Sequence, residues 1–154
     1  MATISNKPLP PGASTELWKV AEWLQGPKAK YSVTDNIKFC SNPEELAYKT
    51  ANLLETFLKE MPKAPLESVV AAIRFEQPAV IPIEAGWVVN LIPVDEVHGV
   101  AIEDHTLYSN HYAQLNQDAR ISGSFYALVF MFRFDPRNRR ERMRNFLKRA
   151  LKMS

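Results

Sequence analysis

The sequence predicts an α+β fold: a single domain over residues 14–154, built on a mainly antiparallel sheet with two N-terminal helices and one C-terminal basic amphipathic helix. Three observations carry this. Apolar residues recur at helical spacing up to residue 61 and then alternate with period two from Val69 onward. Residues 124–134 are apolar on both faces of a strand, with Phe125, Ala127, Val129 and Met131 on one and Tyr126, Leu128, Phe130, Phe132 and Phe134 on the other. The order helix, helix, strands, helix segregates the element types, as α+β folds do.

Residues 1–13 hold Pro8, Pro10 and Pro11 and few large apolar groups, which reads as a flexible N-terminal arm. Ser14 is placed to cap a first helix whose Leu17, Val20, Ala21 and Leu24 form an i, i+3, i+4, i+7 stripe, with Gly26-Pro27 as its stop. Trp18 and Trp23 fall on opposite flanks of that stripe. A strand over 31–40 is interrupted by a turn signal at Asp35-Asn36. Ser41-Asn42-Pro43-Glu44 has the spacing of a capping box, with Ser41 as N-cap and Glu44 reaching back to it. The helix it opens carries Leu46, Leu53, Leu54, Phe57, Leu58 and Met61 on one broad side and ends before Pro62 and Pro65.

Val69, Ala71, Ile73 and Phe75 alternate along the next strand, and 87–94 and 124–134 are aromatic-rich, β-branched runs that read as further strands. A strand apolar on both faces needs cover on both, from its own chain or from a partner. Asp135 as N-cap and Pro136 at the first helical position open the last predicted helix, with Met143, Phe146, Leu147, Ala150 and Leu151 as its stripe.

With 154 residues, 46% of them hydrophobic and 23% charged, the chain is large enough to fold around its own core without metal or disulfide. The one cysteine, Cys40, forms no intramolecular bridge, and together with the lack of a signal-peptide pattern this makes the reducing cytoplasm the expected compartment. No apolar run approaches the ~18 residues of a membrane span.

Charge is strongly segregated along the chain. From residue 135 onward Arg137, Arg139, Arg140, Arg142, Arg144, Lys148, Arg149 and Lys152 stand against Asp135 and Glu141, a net of +6. The preceding 134 residues carry 11 cations and 15 carboxylates, a net of −4. Between Arg74 and Arg120 there is no Lys or Arg, while Glu76, Glu84, Asp95, Glu96, Glu103, Asp104 and Asp118 fall there. Such a distribution bears on association and on the sign of a partner.

Three constellations are candidates for function. The eight cations of the terminal stretch suit an acidic protein surface, and five arginines in the eight residues from Arg137 also suit phosphate. Asp95, Glu96, Glu103 and Asp104 offer a docking surface of opposite sign, and this stretch holds His98, His105 and His111, whose atoms suit metal or acid and base chemistry but whose spacing matches no metal motif. Trp18, Trp23, Trp87, Tyr108, Tyr112 and the strand from Phe125 to Phe134 form a set of large apolar residues that one core need not absorb; within it Trp87, Phe125 and Phe130 read as core, and Trp18 and Trp23 are the aromatic interface candidates.

There is no GxSxG elbow, phosphate loop, dinucleotide fingerprint or CxxC. The expected function is therefore non-enzymatic binding or assembly, of the adaptor, immunity or viral accessory type, without cofactor. The basic helix would dock an acidic surface of a protein partner or of the protein's own homo-oligomer. Nucleic-acid binding through the same helix is the first alternative. A metal-dependent or acid/base hydrolase centred on the three histidines is the second.

Overall fold

A computed structural model describes residues 4–34, 37–94 and 98–134. The elements are β1 (Ile4–Pro8), α1 (Ala13–Gln25), β2 (Tyr31–Thr34), β3 (Ile37–Cys40), α2 (Pro43–Lys59), β4 (Glu67–Phe75), β5 (Ala79–Ile81), β6 (Trp87–Pro93), β7 (Ala101–Ile102), β8 (His105–Thr106), β9 (His111–Leu115), β10 (Ala119–Ser122) and β11 (Phe125–Arg133). They form two sheets, in the orders β1-β9-β6-β11-β4-β3-β2 and β5-β10-β7-β8. Every strand pair among the described residues is antiparallel.

β11 is the centre of the larger sheet, paired with β4 over its whole length and with β6 over most of it. Its two apolar faces feed two separate cores. Phe125, Ala127, Val129 and Met131 pack with Ile37, Phe39, Ile73, Phe75, Val89 and Leu91 against Ile81, Ile102, Ala119 and Ile121 of the smaller sheet. Leu128, Phe130 and Phe132 pack on the opposite face with Ala72 and Ile92 against Leu17, Val20 and Leu24 of α1 and Leu46, Leu53 and Phe57 of α2. The result is three layers: two helices, a seven-stranded sheet and a four-stranded sheet. Both sides of the double-faced strand are covered by this chain itself.

The predicted architecture needs correction. The described chain begins with a strand, a hairpin (β2 and β3) separates the two helices, and a second sheet lies where one was expected. Among the described residues there are two helices, the second ending at Lys59, and the last element is β11. The predicted C-terminal basic helix lies outside the described residues.

Residues 4 to 8, read from sequence as part of an arm, pair along β9, with Ile4 opposite Leu115 and packed on the inter-sheet core. One apolar side chain and the open edge of β9 suffice to place this strand, which leaves little local signature.

The helices follow their stripes. In α1 Leu17, Val20, Ala21 and Leu24 are buried as the spacing requires, and the Gly26 N–H closes the last turn on the Trp23 carbonyl at 3.1 Å. Its N-cap is Gly12 in the left-handed region (φ 83°), two residues ahead of Ser14, which is the second residue of the helix. In α2 the capping box does not form. Asn42 is the N-cap and makes no side-chain cap bond. Its amide is engaged elsewhere: Oδ1 accepts the Lys30 N–H at 3.0 Å and Nδ2 donates to the Lys28 carbonyl at 3.2 Å, tying the start of β2 to the start of α2. Long-range bonds to the loop before β2 stand where the local cap bond was expected.

Gly123, just before β11, sits at φ +116°, and a Cβ there would lie 2.8 Å from Val100 Cγ2 and 3.0 Å from Val100 Cα. Gly123→Ala is expected to cost about 2 kcal/mol or more, from backbone strain together with overpacking. Gly12→Ala, also at positive φ but with open space around the new methyl, should cost only about 1 kcal/mol. Thermal unfolding of the two variants measures the difference, and equal losses would contradict the steric argument.

Candidate interaction surface

α1 lies on the helix face of the large sheet with its stripe inward, which sends its two tryptophans in different directions. Trp23 is buried and its indole N–H donates to Glu45 Oε2 of α2 at 2.9 Å, fastening helix to helix. Trp18 is 63% exposed. Beside Trp18 runs an open groove of about 240 Å³ lined by Ser14, Leu17, Trp18, Pro93, Val94, Ser109 and Asn110.

The groove joins three segments remote in sequence. Ser14, Leu17 and Trp18 come from α1, Pro93 and Val94 from the end of β6, and Ser109 and Asn110 from the turn before β9. That turn is held by Asn110 at φ 61° and by the Leu9 N–H, which donates to the Asn110 carbonyl at 3.2 Å. A left-handed residue is tolerated best as Asn among the non-glycines. Next to it Tyr108 is 55% exposed, its ring edge-on to His111 at 6.0 Å. Leu17, Pro93 and Val94 supply apolar surface, Ser14, Ser109 and Asn110 a polar rim, and Trp18 an aromatic wall. The volume falls below the ~300 Å³ at which small-molecule pockets begin.

Beyond Val94 the same end of the sheet is polar. The Val94 N–H donates to the Tyr126 carbonyl at 3.1 Å. Tyr126 stands in register with Arg74, and Arg74 with Lys38, across β11, β4 and β3. The Arg74 guanidinium donates to the Tyr126 hydroxyl and lies 4.6 Å from its ring centre. Glu76 links the two cations, 2.7 Å from Lys38 Nζ and 3.5 Å from Arg74 Nε. The Lys38 hydrogen bond holds the Glu76 carboxyl below its ordinary pKa. Tyr31 packs edge-on to Tyr126 and donates to the Leu24 carbonyl at 2.9 Å, and burial pushes its phenol upward. The Tyr31 hydroxyl pins the end of α1 to this end of the sheet.

Cys40 is buried under the same layer, its thiol 3.3 Å from Asn42 Oδ1, and burial raises its pKa. Alkylation requires an accessible thiolate. Native protein at about pH 8 should therefore react with iodoacetamide at least about 100-fold more slowly than unfolded protein, a rate read by mass spectrometry. Equal rates would show that the helix layer opens freely.

Of the residues singled out from sequence, Trp18 is on the surface and Trp23 inside, because the α1 stripe is wide enough to take the Trp23 flank against α2. Glu103 and Asp104 are exposed on the turn between β7 and β8, where Glu103 has φ 52° and its backbone N–H donates to the Arg120 carbonyl at 2.8 Å. Asp95 and Glu96 lie outside the described residues, although they directly follow Val94, a groove residue. The eight basic residues Arg137, Arg139, Arg140, Arg142, Arg144, Lys148, Arg149 and Lys152 also lie outside them.

His98 and His105 are exposed, and His111 Nδ1 is 3.0 Å from the Ser109 carbonyl. No group of three or more His, Cys, Asp or Glu side chains that could hold a metal occurs among the described residues. Pro93, Val94, Ser109 and Asn110 carry no motif. Only folding brings them to Trp18.

Among the described residues no helix is long and apolar enough to cross a membrane. No family model, curated protein or solved structure matches the chain.

Proposed function

We propose that the protein acts by binding another protein and carries out no chemistry of its own. The basic segment 137–152 supplies electrostatic attraction to an acidic surface, of a partner or of a second copy. The observation that carries this reading is Trp18, an indole 63% exposed over an apolar groove in a chain whose other two tryptophans are buried. Tryptophan is among the residues that dominate binding energy when an interface covers them. The charge segregation agrees: the sequence carries a net of +6 beyond residue 134 and a net of −4 in the rest. Opposed patches of this kind steer association and select partners by sign.

A second reading, nucleic-acid binding, is favoured by the five arginines among residues 137–144, whose fork geometry suits phosphate. The two readings separate in one experiment. Light scattering on a sizing column at low and high salt, with absorbance at 260 and 280 nm on the same peak, reports mass and nucleic-acid content together. Protein binding predicts a nucleic-acid-free peak whose assembly or capture of an acidic partner weakens with salt. Co-elution with nucleic acid that is shed at high salt would replace this reading with the second.

A further inference from the structure

We infer that β2 is an assembly edge: two copies of this chain pair their β2 strands antiparallel about a two-fold axis, joining their larger sheets into one. Backbone hydrogen bonding sets this up. The Ser41 N–H donates to the Lys30 carbonyl at 2.7 Å, and Tyr31–Thr34 continue that register against Ile37–Cys40. Bonded and non-bonded positions alternate along an antiparallel pair. Ser32 and Thr34 therefore turn their N–H and C=O toward β3, while Tyr31 and Val33 turn theirs outward. β2 is the last strand of its sheet, and among the described residues no strand pairs with this outer row. Val33 is 52% exposed.

The other sheet edges among the described residues are closed in the ways that keep a further strand out. On β1 the Leu9 N–H donates to the Asn110 carbonyl, which places Pro8, with no N–H to give, at an outward position, and Lys7 stands beside it. β5 is three residues between Pro78 and Pro82. β8 is two residues long, and its Thr106 carbonyl accepts the Asn6 side-chain amide at 3.4 Å. β2, by contrast, holds Tyr31, Ser32, Val33 and Thr34, with no proline and no charge. This edge is also complementary to itself. With Ser32 opposite Ser32 of the second copy, each Tyr31 meets Val33 of the other, and both pairs exchange N–H···O=C bonds in both directions. Tyr31 and Val33 share one face of the sheet, an aromatic and β-branched pair suited to cross-strand packing. A disordered peptide would have to be ordered to make the same bonds, whereas a second copy brings a strand already held in register by β3.

The test is sedimentation equilibrium of the full chain from about 10 μM to about 1 mM at low and high salt, because so short a contact gives micromolar or weaker affinity. The unaltered chain should form a dimer that persists at high salt, since no charge of β2 takes part. Val33→Pro deletes an outward donor without removing a bond to β3. Val33→Glu puts a carboxylate on the edge beside Lys38, its partner in register on β3, so the fold is kept. Each should weaken the dimer at least about 10-fold. In the unaltered chain the Tyr31 and Val33 amides should exchange hydrogen more slowly as concentration rises, while the outward Asn6 amide of β1 should not. A chain that stays monomeric throughout, or a dimer that Val33→Glu leaves intact, overturns the inference. Neither result touches the protein-binding reading, whose assembly through residues 137–152 weakens with salt and is indifferent to both substitutions.

Discussion

Phe130→Ala is expected to cost about 3–5 kcal/mol of folding stability, the range for removing a fully buried phenylalanine from a packed core. Phe130 is wholly buried on the helix face of β11, with the Phe57 ring of α2 at 5.3 Å and the Phe132 ring at 6.3 Å. It is the side chain through which the central strand holds α2, and Phe57 in turn stacks edge-on to Tyr112 of β9 at 5.0 Å. Truncation leaves a void among aromatic rings that are themselves anchored in sheet and helix, so the site collapses poorly. A domain of this size has only about 5–15 kcal/mol in hand. The variant should therefore unfold at much lower denaturant than the unaltered chain. A loss below about 1 kcal/mol in equilibrium denaturation would show that α2 does not depend on this contact.

Charge reversal in the terminal segment is expected to have the largest effect on association. R140E/R144E/R149E takes residues 135–154 from eight cations and two carboxylates to five of each, a change from +6 to 0. At roughly 1 kcal/mol per reversed charge, binding to an acidic surface should weaken roughly 100-fold at low salt. The difference should shrink as salt screens both proteins. Folding should be unaffected, because none of the three arginines belongs to the apolar stripe that the sequence predicts for this segment, Met143, Phe146, Leu147, Ala150 and Leu151. In self-association, the reciprocal substitutions Asp95→Lys, Glu96→Lys and Glu103→Lys on the other partner should restore affinity, measured by sedimentation or light scattering. A segment variant that binds as tightly as the unaltered chain at low salt would remove electrostatics from the mechanism.

Much of the helix layer and the central strands was legible because each carries its own periodicity. Leu17, Val20, Ala21 and Leu24 repeat at helical spacing, and Asp35-Asn36 falls between β2 and β3. The two apolar faces of residues 125–133 announce a strand covered on both sides. The smaller sheet was not legible. Its strands run for two to four residues and bury at most two side chains each, such as Ile102 in β7 or Ala119 and Ile121 in β10, while both residues of β8 are exposed. Two alternating residues do not establish a period. β1 was hidden for a related reason, since its placement depends on the free edge of β9, more than a hundred residues away.

The capping box at Ser41 and Glu44 shows the converse, a local signal overridden by a distant partner. Asn42 there bonds Lys28 and Lys30, which no local pattern reveals.

The sequence by itself determined the two helices, the central antiparallel strands, the need to cover β11 twice and the segregation of charge. All of these rest on side chains within one turn or one pleat of each other, or on composition alone. The tertiary structure decided what covers each face, which tryptophan is buried, and that Trp18 stands beside Pro93, Val94, Ser109 and Asn110. Those outcomes depend on contacts between residues remote in sequence, from the 22 positions that separate Trp23 and Glu45 to the much longer spans between Trp18 and the β6 and β9 ends. Such contacts form only when the whole set of apolar faces is buried together, so no single stretch of the chain encodes them.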